Sequence, residues 1–222
     1  MKDQTAIIIG ATGLVGFKIV QQLLENKNFS TVKVFTRRSL EIDHFNLEEH
    51  LVDFDQLDHW KNELTGDILF SAMGTTIRKA GSKAAQYKID YTYQYETAQA
   101  AANNGVKTFC LVSSAGANPK SSVFYSKMKA ELDEAVKKIG FKHTFIFRPS
   151  ILAGNRNESR LGEKIGLILA RIFTNIPGLT KYRPIQGATV AKAMIHVSET
   201  TEIRSSFEIY TLSEIFEILK AR

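Results

Sequence analysis

Tyr125 and Lys129 stand four residues apart in a stretch whose apolar spacing predicts a helix over 122–138. Positions i and i+4 share a helix face, so both side chains can reach one site. A tyrosine titrating near about 10 is a poor acid–base catalyst at neutral pH, but a neighbouring ammonium favours its phenolate. The pair therefore suits proton transfer to and from an oxygen. Upstream, at the end of a predicted strand over 107–113, come Ser113 and Ser114. A hydroxyl there can hydrogen-bond a carbonyl or alcohol oxygen. A tyrosine on such a helix is also a common packing residue, and Tyr-x-x-x-Lys arises by chance. The set gains weight only from its company.

That company begins at residues 5–16, T-A-I-I-I-G-A-T-G-L-V-G. An unbroken apolar run stops at Gly10, and glycines recur at Gly13 and Gly16 as a helical pattern begins. Strand, glycine turn and helix in that order hold a dinucleotide pyrophosphate. Gly10 permits the tight turn, Gly13 lets a phosphate approach the backbone, and Gly16 lets the helix lie close to the sheet. The helix N-terminus offers unpaired N–H groups and a partial positive charge to the anion. Gly10, Thr12, Gly13, Leu14, Val15 and Gly16 are thus expected to bind a cofactor.

The second predicted strand, over 31–36, leads into Arg37-Arg38, with no acid to take a ribose 2′-hydroxyl. Arginine there accommodates a 2′-phosphate, so NADP(H) is expected in preference to NAD(H). Two exposed loop arginines with no ligand would read the same way. Asp53 and Phe54, after the third strand, are expected at the adenine. Ala72, Met73 and Gly74, after the fourth, are expected at the nicotinamide ribose. Pro149, after the sixth, is also placed at the cofactor. No metal site is expected.

The elements that must position these residues alternate along the chain. Strands are predicted over 50–53, 67–72 and 143–147 besides those above. Helices are predicted over 83–103, closed by Gly105, and over 122–138, closed by Gly140. This alternation predicts an α/β fold, a Rossmann-type doubly wound parallel sheet with its ligand at the C-terminal strand ends. Beyond Pro149 the rhythm loosens into a polar loop over 152–162, helices over 163–173, 188–197 and 213–220, and a strand over 206–210. Residues 1–222 are read as one domain, with a cofactor-binding core over 1–150 and a small C-terminal substrate lobe over 151–222.

The 222 residues are 44% hydrophobic and 23% charged, the balance of an ordinary globular chain with one core. The single cysteine, Cys110, excludes an internal disulfide and lies in a strand-like run, where it suits a buried small hydrophobe. No signal peptide or membrane span is read, and a cytoplasmic location is expected. The net charge of +6 is spread over many segments, so neither nucleic acid nor a membrane is an expected partner. A small-molecule substrate, and a monomer or homodimer, are expected.

The chain resembles the atypical short-chain dehydrogenases/reductases, and more closely the Tat-interacting-protein family with its bacterial relatives. The resemblance runs through residues 10–16, Gly74-Thr-Thr with 79–82, 112–116, Tyr125 with Lys129, and Phe147-Arg-Pro149. The stretch Arg156-Asn-Glu-Ser-Arg160 with Gly162-Glu163 also carries it. It implies a Rossmann fold, NADP(H) binding and a Ser–Tyr–Lys site. Tyr125 would be the general acid/base and Lys129 would tune it and hold the ribose. Ser114 would polarise the reacting oxygen, the second serine being the active one in similar enzymes, with Ser113 left open. Asp90 stands where many of these proteins have an asparagine in a proton relay, which puts that relay in doubt. Thr75, Thr76 and Arg78 could frame a substrate. Arg156 and Arg160 could bind its anionic group, or pair with Glu158 and Glu163 inside their loop. The expected activity is hydride transfer between nicotinamide and a carbonyl/alcohol pair. The alternatives are a cofactor-binding regulator or scaffold with little turnover, and an epimerase or dehydratase that retains its cofactor.

Overall fold

The strands form where apolar residues run without a break. Ile7 and Ile9 of the first strand pack into one apolar cluster, while Ala6 and Ile8 pack into another. Two-residue alternation of side chains sends successive residues to opposite faces of a sheet, so a wholly apolar strand must be covered on both. A computed structural model, which describes residues 3–153, 183–201 and 204–220, shows that covering.

Its strands are β1 (Gln4–Ile9), β2 (Phe29–Thr36), β3 (Leu47–Leu51), β4 (Ile68–Ser71), β5 (Thr108–Val112) and β6 (His143–Arg148). They are followed by β7 (Leu152–Ala153), β8 (Ile185–Gln186) and β9 (Phe207–Thr211). Among the described residues, seven of them form one sheet in the order β3-β2-β1-β4-β5-β6-β9, and β7 pairs with β8. All pairs in the large sheet are parallel. It is the expected Rossmann-type, doubly wound α/β fold.

The helices are α1 (Leu14–Leu24), α2 (Ile77–Ala80), α3 (Lys83–Tyr87), α4 (Tyr93–Asn103), α5 (Phe124–Lys137), α6 (Gly187–Glu199) and α7 (Glu214–Glu217). A π-helical turn (Lys88–Thr92) joins α3 to α4. One face of the sheet is covered by α1 and α6, and the other by α4, α5 and the 3-10 turn Phe54–His59. The glycine turn lies where β1 and β4 neighbour each other, the point at which the strand order reverses and ligands bind in such sheets.

Some elements depart from expectation. The third strand spans Leu47–Leu51, not 50–53. It is the edge of the sheet, where Glu48 and Glu49 are tolerated in a strand and disguise it. The terminal helix is shorter than 213–220, and α2, held by the Thr76 cap, was too short to show a period. Beyond residue 150, β9 extends the main sheet beside β6 and α6 packs against α1. These parts of the expected lobe lie in the layers of the core. The predicted helix over 163–173 falls outside the described residues.

Candidate active site and cofactor cradle

The cradle starts from backbone geometry. Gly10 has φ +79°, and a Cβ there would lie 2.5 Å from the Ala72 carbonyl carbon and the Met73 nitrogen. The turn after β1 and the turn after β4 are therefore in backbone contact. Gly13 donates to the Gly10 carbonyl at 3.0 Å and forms the N-cap of α1, with no side chain capping the helix. The first turn of α1 carries no acidic residue. Its leading N–H groups have no helical acceptors, so an anion fits there. A Cβ on Gly16 would collide with the Gly10 carbonyl oxygen. These residues fit a dinucleotide. Val15 is buried in the core, so its backbone alone could serve a ligand, and Thr12 is exposed.

Arg37 and Arg38 follow β2 and are exposed. The Thr36 hydroxyl donates to the Arg38 carbonyl at 3.0 Å and fixes the backbone of this bend. Neither guanidinium has a partner among the described residues, which leaves both open to a phosphate. Asp53 accepts from the Asp55 N–H at 2.9 Å and caps the following turn. The Phe54 ring is buried edge-on to Trp60, with centroids 5.3 Å apart, so adenine could meet its backbone only.

On the other side of the reversal point, α5 carries Tyr125 and Lys129. Tyr125 is 38% exposed and Lys129 is 2% exposed, with Nζ 6.0 Å from the centre of the Tyr125 ring. The two serines after β5 have separate fates. Ser113 is buried and its hydroxyl donates to Asp133 Oδ2 at 3.0 Å. Ser114 is half-buried, and its Oγ accepts only a long 3.4 Å contact from the Gly116 N–H. Gly116 also neighbours Ser126 Oγ, and Asn118 donates to the Ser126 carbonyl at 3.1 Å. The Ser114 loop thus rests on the turn of α5 that bears Tyr125. Tyr125 and Lys129 are thus neighbours on α5, the loop bearing Ser114 is tied to the same turn through Gly116 and Asn118, and among the described residues the Ser114 hydroxyl has only that long contact.

The sequence did not signal what holds α5 in place. Arg148, at the end of β6, reaches Asp133 Oδ2 through Nε at 2.9 Å and through a terminal nitrogen at 2.8 Å. Burial raises the Asp133 carboxyl above its ordinary value, while Ser113 and Arg148 oppose that rise. Pro149, one residue on, is buried and its carbonyl accepts from Ala115 at 3.1 Å. Asp133 lies on the helix and Arg148 on a strand, so no local spacing announces the pair.

Asp90 lies on the π turn, fully buried, with Oδ1 3.4 Å from Lys129 Nζ. Burial raises its carboxyl, and Lys129 and the Thr75 N–H pull it back down. Thr75 donates to Asp90 Oδ2 at 2.8 Å, and its own carbonyl accepts from Gln86 at 3.0 Å. The Thr76 hydroxyl caps α2, accepting from Lys79 at 3.3 Å. Arg78 is exposed on α2. Arg156 and Arg160 lie outside the described residues.

Residues 10–198 match a protein family described as NAD(P)H-binding. The chain is 37% identical over 178 residues to the mitochondrial protein fmp52 of Emericella nidulans, covering 77% of this chain and 75% of that one. To the mitochondrial protein FMP52 of Saccharomyces cerevisiae it is 33% identical over 220 residues, covering 96% and 95%. Among solved structures, the Bordetella bronchiseptica enzyme WbmH in complex with NAD+ superposes with a TM-score of 0.70 at 16% identity, over 94% of this chain and 75% of that one. That likeness shows the fold. The relatives correct one expectation. Both carry a mitochondrial name, which overturns the cytoplasmic location read from the sequence.

Proposed function

The chain belongs to the NAD(P)H-binding family, and from that premise we propose that it is an NADP(H)-dependent oxidoreductase acting on a carbonyl/alcohol pair. The observation that supports this reading is the buried Lys129 next to Tyr125 on α5, with the loop bearing Ser114 resting on the same helix turn. Ser114 would hydrogen-bond the reacting oxygen of the substrate. The Tyr125 phenol would give or take the proton at that oxygen. Lys129 would favour the phenolate and hold the ribose. Arg37 and Arg38, at the end of β2 and without partners among the described residues, would bind a 2′-phosphate, the basis for preferring NADP(H). The nucleotide, when bound, supplies or accepts the hydride. The substrate is a small molecule; neither nucleic acid nor a membrane is a partner in this reading, and the working unit is a monomer or homodimer. The finer likeness to the Tat-interacting-protein group leans on residues 156–163 and belongs to this proposal.

Titration with NADPH and NADH tests the cofactor half. NADPH should bind more tightly, and Arg37→Ala/Arg38→Ala should weaken it by roughly tenfold to a hundredfold with NADH little changed. Turnover across a panel of carbonyl compounds tests the chemistry. Tyr125→Phe should lose about a hundredfold or more in kcat. A variant as fast as wild type on a genuine substrate would remove Tyr125 from the mechanism.

A further inference from the structure

The ammonium of Lys129 has two neighbours that matter here. The Tyr125 ring centre is 6.0 Å from Nζ, and the Asp90 carboxylate is 3.4 Å from it. Asp90 cannot turn away. Its Oδ2 is held by the Thr75 N–H, and its carbonyl accepts from Gln94 Nε2 at 2.6 Å. Gln94 is fixed in turn by the Ser71 hydroxyl at 2.7 Å. The remaining oxygen, Oδ1, has no hydrogen-bond donor among the described residues and faces the ammonium. The π turn is what brings this residue inward at the middle of a long helical run.

We propose that Asp90 is a positioning residue that sets how much of the Lys129 charge Tyr125 feels. The inference rests on the Ser114–Tyr125–Lys129 reading of the site. A buried carboxylate this close to the ammonium cancels much of its field a few ångströms beyond, because little solvent intervenes to screen either charge. An asparagine would accept the same Thr75 N–H and leave the ammonium at full strength. The aspartate therefore weakens the stabilisation of phenolate that the lysine provides.

The other charged neighbours do not take over this role. On α5, Asp133 also feels the Lys129 charge, but its ion pair is with Arg148 of β6. Glu131 meets the Tyr87 hydroxyl of α3 at 3.4 Å, and Tyr91 of the π turn stacks on Tyr87. Lys83 of α3 lies over the Phe124 ring, and Lys88 pairs with Asp55. After β5, Ser113 and Ser114 are neutral, and Ser113 donates to Asp133. Among the described residues, Asp90 is the ion-pair partner of Lys129.

The test is a pH titration of tyrosinate absorbance, taking the difference between each protein and its Tyr125→Phe counterpart to isolate one phenol. Asp90→Asn should move that phenol's midpoint about one pH unit lower, and the pH limb of kcat that depends on Tyr125 should follow. Asp90→Ser, which also lacks the charge, should do the same and serves if the amide variant does not fold. An unchanged midpoint in a folded variant overturns the proposal, because a purely structural role would alter thermal stability without moving the phenol. The absorbance titration needs no substrate, so it reads even if no turnover is found. If turnover requires Tyr125 while both midpoints stay in place, the inference fails and the proposed function stands.

Discussion

The face of the sheet under α1 and α6 is apolar almost throughout, filled by Ile8, Val32, Val34, Phe70, Phe145 and Phe147 against Ile19, Leu23, Val190 and Met194. The face under α4 and α5 has its own apolar cluster but also buries Ser71, Asp90, Gln94, Ser113, Lys129 and Asp133. The first face is held by shape. Backbone meets backbone where α1 starts: Gly16 lies against the Gly10 carbonyl, and a Cβ on Gly187 of α6 would stand 2.6 Å from the Leu14 carbonyl oxygen. The second is held by matched charge, in the Arg148–Asp133 and Lys129–Asp90 pairs. A sheet can therefore divide its labour. The close-packed face supplies a glycine turn pinned by backbone contacts, and the polar face supplies buried titratable groups. The two should fail differently, one through added volume at any pH and the other through lost partners in a way that pH controls.

The largest expected effect comes from volume on the close-packed face. Gly16→Ala places a methyl inside the Gly10 carbonyl, and Gly10 cannot retreat because Ala72 and Met73 are already against it. The cost should be about 4 kcal/mol, above the common range for overpacking because each neighbour is backbone. Gly187→Ala should cost less, about 2 kcal/mol, since α6 can slide from α1. Urea unfolding midpoints measure both, and neither cost should vary with pH. A Gly16→Ala loss under about 1 kcal/mol would mean this face yields far more than its geometry implies.

Arg148→Ala probes the other face. It leaves Asp133 buried with the Ser113 hydroxyl as its donor, and at neutral pH should cost about 3 kcal/mol. The sign of its pH dependence follows from the raised Asp133 carboxyl. An acid whose folded value lies above its unfolded one, here 3.8, contributes stability below the unfolded value and loses it as pH rises through the folded one. Without Arg148 the rise is larger, so the penalty should shrink toward pH 3.8 and reach its full size near neutrality. Unfolding curves at both ends of that range decide it. A penalty equal at the two would place the role of Arg148 in packing alone.

The same contrast explains what the sequence could and could not tell. Continuous apolar strands and the spacing of Gly10, Gly13 and Gly16 are local signals, so the fold and its glycine turn were legible. Tyr125 and Lys129 share a helix face, and that too is local. The grip of β6 on α5 through Arg148 and Asp133 joins residues on different elements, and nothing in the chain order announces it. Gly187 carried no motif, because its need arises only when α6 meets α1. The π turn was hidden inside a run that reads as one helix over 83–103, so Asp90 was visible as an odd residue but not as the partner of Lys129.

Ser113 and Ser114 give the finest separation, since one belongs to the structural pairing of the polar face and the next to its open site. Ser113→Ala removes a hydrogen bond to a buried carboxylate and should cost about 1.5 kcal/mol of stability, with kcat close to wild type. Ser114→Ala takes away a hydroxyl that supports no strong contact among the described residues. It should leave stability within about 0.5 kcal/mol while lowering kcat on a carbonyl substrate by roughly tenfold or more. Unfolding and turnover measured on the two variants side by side separate the roles. The reverse pattern would make Ser113 the reacting serine, and its bond to Asp133 would then have to break whenever substrate binds.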